Sequence, residues 1–234
     1  MKRAVQIILI IQFAMFFTSY ANAQDINLLI QKVKSKIEKV NDYQATGNLK
    51  TNVAFLKVPV SKVILYFKKP NLLKIKSTKG ISFVPKGAVS INLNNLLSSS
   101  KYTALDAGSE KIGEHPVKVV KLLPEEENSE IVLSTLYIDE KNQVILKSKT
   151  TTRDNGSYEL EMAYGKYLEY GLPDKIIFSF NTKEYKLPKG VTFDFDDGSE
   201  TKKTTGKVKN RKGRAEITVY QYIINKGIDD AVFQ

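Results

Sequence analysis

The sequence predicts a mainly β protein: about ten strands in one large, strongly curved antiparallel sheet, opened by an amphipathic helix and with few other helices. Three observations carry this prediction. After Asn41 the apolar residues recur at every second position, the period of a half-buried strand. The runs are separated by compact turn signals, and short connections make antiparallel neighbours. Only the stretch from Ile26 to Val40 carries a long helical period.

In chain order, the first segment is an address. Lys2 and Arg3 precede an apolar run, Ala4 to Phe17, broken only by Gln6 and Gln12; Ala21-Asn22-Ala23 then reads as a small-x-small cleavage site. The run is short for a membrane span of about 20 residues. Residues 1–23 are therefore expected to be a signal peptide cleaved after Ala23, leaving 24–234 as a single exported, soluble domain. With no cysteine anywhere in the chain, that domain has no lipid-anchored cysteine, and a bacterial periplasm suits it better than a disulfide-rich extracellular space.

Asp25 is the expected N-cap of the helix. Ile26, Leu29, Ile30, Val33, Ile37 and Val40 form one stripe, with Lys32, Lys34, Lys36, Glu38 and Lys39 on the other faces. Strand alternation is clearest at Val63, Leu65 and Phe67, at Leu73 and Ile75, from Tyr158 to Tyr164, and at Ile176, Phe178 and Phe180. Lys69-Pro70-Asn71, Gly113 to Pro116, Asp139 to Asn142, Gly171 to Pro173 and Pro188 to Gly190 mark turns, and Asp154-Asn155-Gly156 is the sharpest hairpin signal. Val89 to Ser100 breaks the rhythm and is expected to form a short helix over the sheet.

Composition narrows the chemistry. The 234 residues contain no cysteine and one histidine, His115, so thiolate sites, a cysteine nucleophile and multi-histidine metal centres are excluded. Lys and Arg outnumber Asp and Glu by 36 to 25, and the arginines are only Arg3, Arg153, Arg211 and Arg214. A lysine excess without arginine forks points to anionic surfaces rather than to nucleic-acid readout. Asp194-Phe195-Asp196-Asp197-Gly198 fails the calcium-loop spacing, and Gly206-Lys207 lacks the rest of a phosphate loop. Asn155-Gly156-Ser157 matches a glycosylation sequon but reads as a bacterial turn. His115 sits in an expected turn with no local acid or nucleophile. No catalytic residue, metal ligand or cofactor site is expected, and an enzyme is the weakest reading. The stretch 202–214 carries Lys202, Lys203, Lys207, Lys209, Arg211, Lys212 and Arg214 with no acid. It reads as an exposed hairpin or mobile loop, either merely solvated or docking to headgroups or an acidic partner.

A curved sheet of about ten strands has more concave apolar surface than one helix and one short helix can cover. Two readings follow: a cavity beneath the helix, or a sheet packed by its own side chains. One face of the alternating runs supplies the candidate lining residues: Val63, Leu65, Phe67, Leu73, Ile75, Phe83, Leu133, Leu146, Met162 and Phe178. Leu96 and Leu97 are candidate lid residues.

The order of these features resembles a known family. A signal peptide and amphipathic helix lead to Tyr66-Phe67-Lys68-Lys69-Pro70-Asn71-Leu72-Leu73-Lys74-Ile75. Then come Gly113-x-x-Pro116-Val117, Val119 to Pro124, Leu136-Tyr137-Ile138-Asp139, and the closing Tyr220 to Ile228 with Phe233. Over nearly the whole mature chain this resembles the periplasmic outer-membrane lipoprotein carriers, the LolA-like group, whose fold RseB-like lipid sensors share. The resemblance implies an unclosed antiparallel barrel of ten or eleven strands with helices as a lid. It implies a non-catalytic monomeric carrier that holds lipoprotein acyl chains in a hydrophobic cavity, taking them from an inner-membrane donor complex to an outer-membrane acceptor. A lipid or lipoprotein sensor, or a carrier of another lipid, are the alternatives. In that family an Arg before the turn proline ties the lid shut. Here the matching residue is Lys69, a point charge and a less directional latch, and Ile75 stands near the position of a missing aromatic.

Overall fold

The computed structural model describes residues 26–53, 56–57, 59–77, 97, 101–154, 156–181 and 212–234. A helix, α1, occupies residues 26–37. Its stripe behaves as the periodicity demands: Ile26, Leu29, Ile30 and Val33 are buried against the sheet. Four such side chains contribute about 6–12 kcal/mol of burial before ordering entropy is subtracted. The helix stops short of Val40, which is buried beyond its end. Asp25 lies outside the described residues.

Eleven strands are described: β1 (Asp42–Val53), β2 (Leu56–Lys57), β3 (Ser61–Lys68), β4 (Leu72–Ser77), β5 (Tyr102–Ile112), β6 (His115–Pro124), β7 (Ile131–Asp139), β8 (Val144–Thr152), β9 (Gly156–Ala163), β10 (Lys175–Asn181) and β11 (Lys212–Ile224). They form one antiparallel sheet in the order β4-β3-β1-β11-β10-β9-β8-β7-β6-β5, with β2 a short partner of β1. The sheet is not closed into a barrel. β4 and β5 are consecutive in the chain yet stand at opposite ends of this order, so residues 78–101 join the two outermost strands.

Side chains alternate as the sequence predicts. Val63, Leu65 and Phe67 are buried on one face of β3, and Lys62, Ile64, Tyr66 and Lys68 take the other. Leu160, Met162, Phe178, Phe180, Ala215, Val219 and Tyr222 continue the buried face across β9 to β11, while Val120, Leu122, Leu136 and Ile138 carry it to the far end under α1. Between them runs a polar stripe, Ser134, Ser148 and Thr150, in which the Ser134 and Thr150 hydroxyls pair at 2.9 Å. Two glycines set the bend. A side chain at Gly47 would strike the Thr218 carbonyl, and one at Gly213 would strike the Phe180 ring. Gly47 also marks a register shift between β1 and β11.

The expected short helix from Val89 to Ser100 is represented in the described residues by Leu97 alone, which is helical and buried. The expected signal segment 1–23, Asn155, Pro188 to Gly190, Asp194 to Gly198 and Gly206-Lys207 lie outside them.

Candidate functional site

The inward face is an apolar surface crossed by the polar stripe of Ser134, Ser148 and Thr150. Of the expected lining residues, Val63, Leu65, Phe67, Met162 and Phe178 are buried in its core, and Leu73 and Ile75 are half-buried against it. The aromatic residues form a connected series. Phe67 meets Tyr43 at 5.2 Å between ring centroids, Tyr43 meets Tyr222 edge-on at 5.2 Å, and Tyr222 meets Tyr167 edge-on at 5.0 Å. Phe178 stands between Tyr158 and Phe180, at 5.6 and 5.3 Å. Burial pushes the phenols of Tyr43, Tyr164 and Tyr222 above their ordinary range. Tyr164 donates to the Ile145 carbonyl at 2.9 Å and Tyr222 to the Pro173 carbonyl at 2.8 Å.

Two of the expected lining residues belong elsewhere. On β7 the side chains turned into the core are Ser134, Leu136 and Ile138, so Leu133 faces the opposite side. Leu146 also lies outside the core, in a groove described below. For Leu146 the cause is the register shift between Tyr137 and Ile138, which makes it the extra residue of β8 and turns Ile145 into the core instead; β7 alternates regularly from Leu133 to Ile138, and because it is apolar at both parities its sequence does not show which face is inward. Phe83 and Leu96 lie outside the described residues. Leu97 is buried in the core cluster, on the concave side of the sheet.

Lys69 is bonded to the C-terminal end of α1. Its ammonium donates to the Glu38 carbonyl at 2.7 Å and to Asn41 Oδ1 at 3.2 Å. Glu38 is one of the carbonyls a helix end leaves without a partner, so the cation caps α1 and faces the negative end of its dipole. Asn225, in the left-handed region at φ 55°, completes the corner. Its Nδ2 donates to the Lys39 carbonyl at 2.8 Å, and its Oδ1 accepts from the Asn41 amide at 2.7 Å. Asp42 Oδ1 in turn accepts from the amides of Lys226 and Gly227, both at 3.0 Å. The C-terminal end of α1 is thus tied to three separate parts of the chain: Lys69, the segment Asn225 to Gly227, and the Asn142 carbonyl, which accepts from Lys36 in the last turn.

The N-terminal end of α1 borders a cavity of about 220 Å³ between Ile26, Leu28, Leu29 and Lys32 and the side chains Asp106, Lys118 and Glu140. Lys118 and Asp106 pair across β5 and β6 at 2.8 Å. That hydrogen bond holds the Asp106 carboxyl below its usual range, and the bond Asp106 accepts from the Gly108 amide adds to the effect. This end of the helix packs Ile26 and Leu29 into the core beside a small void with a polar rim, whereas its other end is held by the hydrogen bonds of Lys69 and Asn225.

A larger groove of about 600 Å³ was not foreseen. It lies where the β5–β6 and β7–β8 turns meet β9 and β10, and is lined by Ile112, Tyr137, Leu146 and Ile177 together with Lys147 and Glu161. His115 stands at its rim. It occupies the first residue of β6 rather than a turn, and its Nδ1 is 3.7 Å from Asp139 Oδ2. Asp139 is buried and also accepts from the Asn142 amide and Nδ2 at 3.0 and 2.7 Å. The acid is therefore engaged as a turn anchor. The pair reads as structural.

The basic stretch divides. Lys202, Lys203, Lys207, Lys209 and Arg211 lie outside the described residues. Lys212 and Arg214 are not part of a loop but of β11, and Arg214 approaches Glu216 at 3.5 Å.

No protein-family model matches the sequence, and no curated protein matches it. Solved structures do share its fold. An outer membrane lipoprotein-sorting protein domain from Vibrio parahaemolyticus superposes with a TM-score of 0.52 at 16% identity, over 90% of this chain and 97% of that one. A LolA superfamily protein from Nitrosomonas europaea gives 0.54 at 11% identity, over 89% and 97%. A DUF1329 family protein from Desulfovibrio piger gives 0.55 at 10% identity, over 89% and 97%. The likeness is one of fold.

Proposed function

We propose that this chain, built on the fold of lipoprotein-sorting LolA proteins, is a non-catalytic periplasmic carrier that shields the acyl chains of lipoproteins on their way to the outer membrane. The observation that carries the reading is the inward face itself: an apolar surface reaching from β4 to β6, crossed by the polar stripe of β7 and β8, under a helix hydrogen-bonded at one end and bordering a small void at the other.

The physics of the task explains such a design. A 16-carbon chain exposed to water represents on the order of 12 kcal/mol at about 0.8 kcal/mol per methylene. A carrier must offset most of that and still release its cargo. Apolar contact is non-directional and so accepts a mobile chain, and a cover hinged at one end admits it without unfolding the sheet. In this reading Val63, Leu65, Phe67, Leu73, Ile75, Met162, Phe178 and Leu97, which now pack in or against the core of that face, would part to receive the acyl chain.

The test is native mass spectrometry of the protein released gently from its own periplasm. The expected result is a bound acylated species, displaced by a competing fatty acid. Repeated recovery of lipid-free protein that also fails to bind a fluorescent fatty acid overturns the reading.

A further inference from the structure

The inward face carries buried hydroxyls on two flanks. Ser134, Ser148 and Thr150 stand on β7 and β8, and Ser61 stands on β3, on the same face as Val63, Leu65 and Phe67. Between the flanks, Tyr158, Phe178 and Phe180 form an aromatic floor across β9 and β10. The hydroxyls lie toward the strand ends away from the bonds of α1. Ser61 opens β3 and Thr150 lies near the end of β8, whereas α1 is held by Lys69 after β3 and by Asn142 before β8.

These hydroxyls are not fully used by the fold. Ser61 is 5% exposed, and its Oγ has no hydrogen-bond partner; among the described residues it is the one buried side-chain polar atom so placed. Ser134 and Thr150 bond to each other at 2.9 Å and to nothing else among the described residues. One of the two hydroxyls donates to the other, so the pair keeps one O–H hydrogen without an acceptor. A buried hydroxyl in that condition costs folding free energy that an apolar side chain of similar shape would not. The two flanks therefore hold donors ready for a group that brings acceptor oxygens. No lysine or arginine shares the inward side of β3 or β8, so the matching acceptor is neutral rather than a carboxylate.

We propose that this half of the inward face is a subsite for acyl esters, whose carbonyl oxygens accept hydrogen bonds from Ser61 and from the Ser134–Thr150 pair. An ester carbonyl is a neutral acceptor with no donor of its own, set between hydrocarbon segments, and so suits isolated hydroxyls on an apolar and aromatic surface. The subsite is reached when the core of that face parts. The inference rests on the carrier reading above and narrows it from apolar chains in general to chains joined through ester groups. In purely apolar surroundings an ester binds worse than the corresponding ether, because its carbonyls give up water and gain nothing. Donors at Ser61 and at the Ser134–Thr150 pair reverse that order.

The experiment is displacement of a bound fluorescent fatty acid by 1,2-dioctanoylglycerol and by 1,2-di-O-octylglycerol, the ether that lacks the carbonyls. The parent is expected to bind the ester about tenfold more tightly than the ether. Ser61→Ala and Ser134→Ala/Thr150→Val are each expected to weaken the ester roughly three- to tenfold and to leave the ether unchanged. Combined, they erase the preference. Ser61→Ala is also expected to melt no lower than the parent, since its hydroxyl stabilises nothing in the free protein. Circular dichroism checks that the variants fold, and if the double variant does not, Ser61→Ala alone decides. The proposal is overturned if the parent binds ester and ether alike or favours the ether, if the variants weaken both ligands equally, or if Ser61→Ala melts lower than the parent. In each of those cases the carrier reading stands; if neither glycerol nor the fluorescent fatty acid binds at all, the carrier reading falls and the subsite falls with it.

Discussion

Removing the Lys69 ammonium is the most direct test of how α1 is held. Lys69→Met keeps the apolar stem and deletes the two bonds to the Glu38 carbonyl and Asn41 Oδ1. A charge-assisted bond at a half-exposed site contributes about 1 kcal/mol, and the cation at a helix C-terminus about 0.5 kcal/mol more. The sum, about 1–2 kcal/mol, belongs to the anchored end of α1. It should appear as roughly 5- to 30-fold faster amide hydrogen exchange at residues 34–40, with little change in β7 or β8. A chain of this length should melt about 3–6 °C lower. Lys69→Arg should restore protection, since a guanidinium reaches both acceptors at once. Unchanged exchange in α1, or a loss spread evenly over the sheet, would refute the hinge.

Two further predictions use the same corner and the opposite end of the helix. Asn225→Ala loses the bonds to Lys39, Asn41 and Asp42 and places an alanine at a positive φ, whereas Asn225→Gly loses the bonds alone. Denaturant unfolding should therefore rank them parent, Gly, Ala, with the glycine about 1–2 kcal/mol below the parent and the alanine roughly 1 kcal/mol lower still; equal variants would remove the strain argument. Asp106 has its carboxyl held low by Lys118. Its contribution is complete above the unfolded carboxylate range near pH 4 and is lost as the pH falls through the lower folded value. Acid titration of stability should be flatter in Asp106→Asn than in the parent, and superimposable curves would contradict the pairing.

Much of the architecture is legible in the amino-acid order because it rests on period. The stripe of α1, the alternation of β3, β9 and β10, and the Asp154-Asn155-Gly156 hairpin each place burial by spacing alone. What escapes is set by register. Leu146 looks inward by counting in twos and is displaced by the extra residue in β8, while Leu133 lies on a strand that is apolar on both faces, so spacing alone does not orient it. The approach of His115 to Asp139 depends on how β6 lies on β7. The Asn225 cap joins residues far apart in the chain. β5 reads as polar sequence because an outermost strand is wet on most sides. Lys69 was expected to hold a lid. Its position before the turn was visible, but its acceptors, at the end of α1, were not.

The strand order carries a further consequence. A sheet that does not close has two rims of unpaired amide and carbonyl groups, and each rim is a template on which another chain could polymerise. Here both are guarded. Residues Asp230–Phe233 pack beside β4, with Lys74 gripping the Gln234 carbonyl at 2.8 Å. β5 is broken by a kink between Asp106 and Ser109, where Gly108 turns to φ 91°. The sheet can therefore remain open along one side without inviting copies of the chain to stack into fibres.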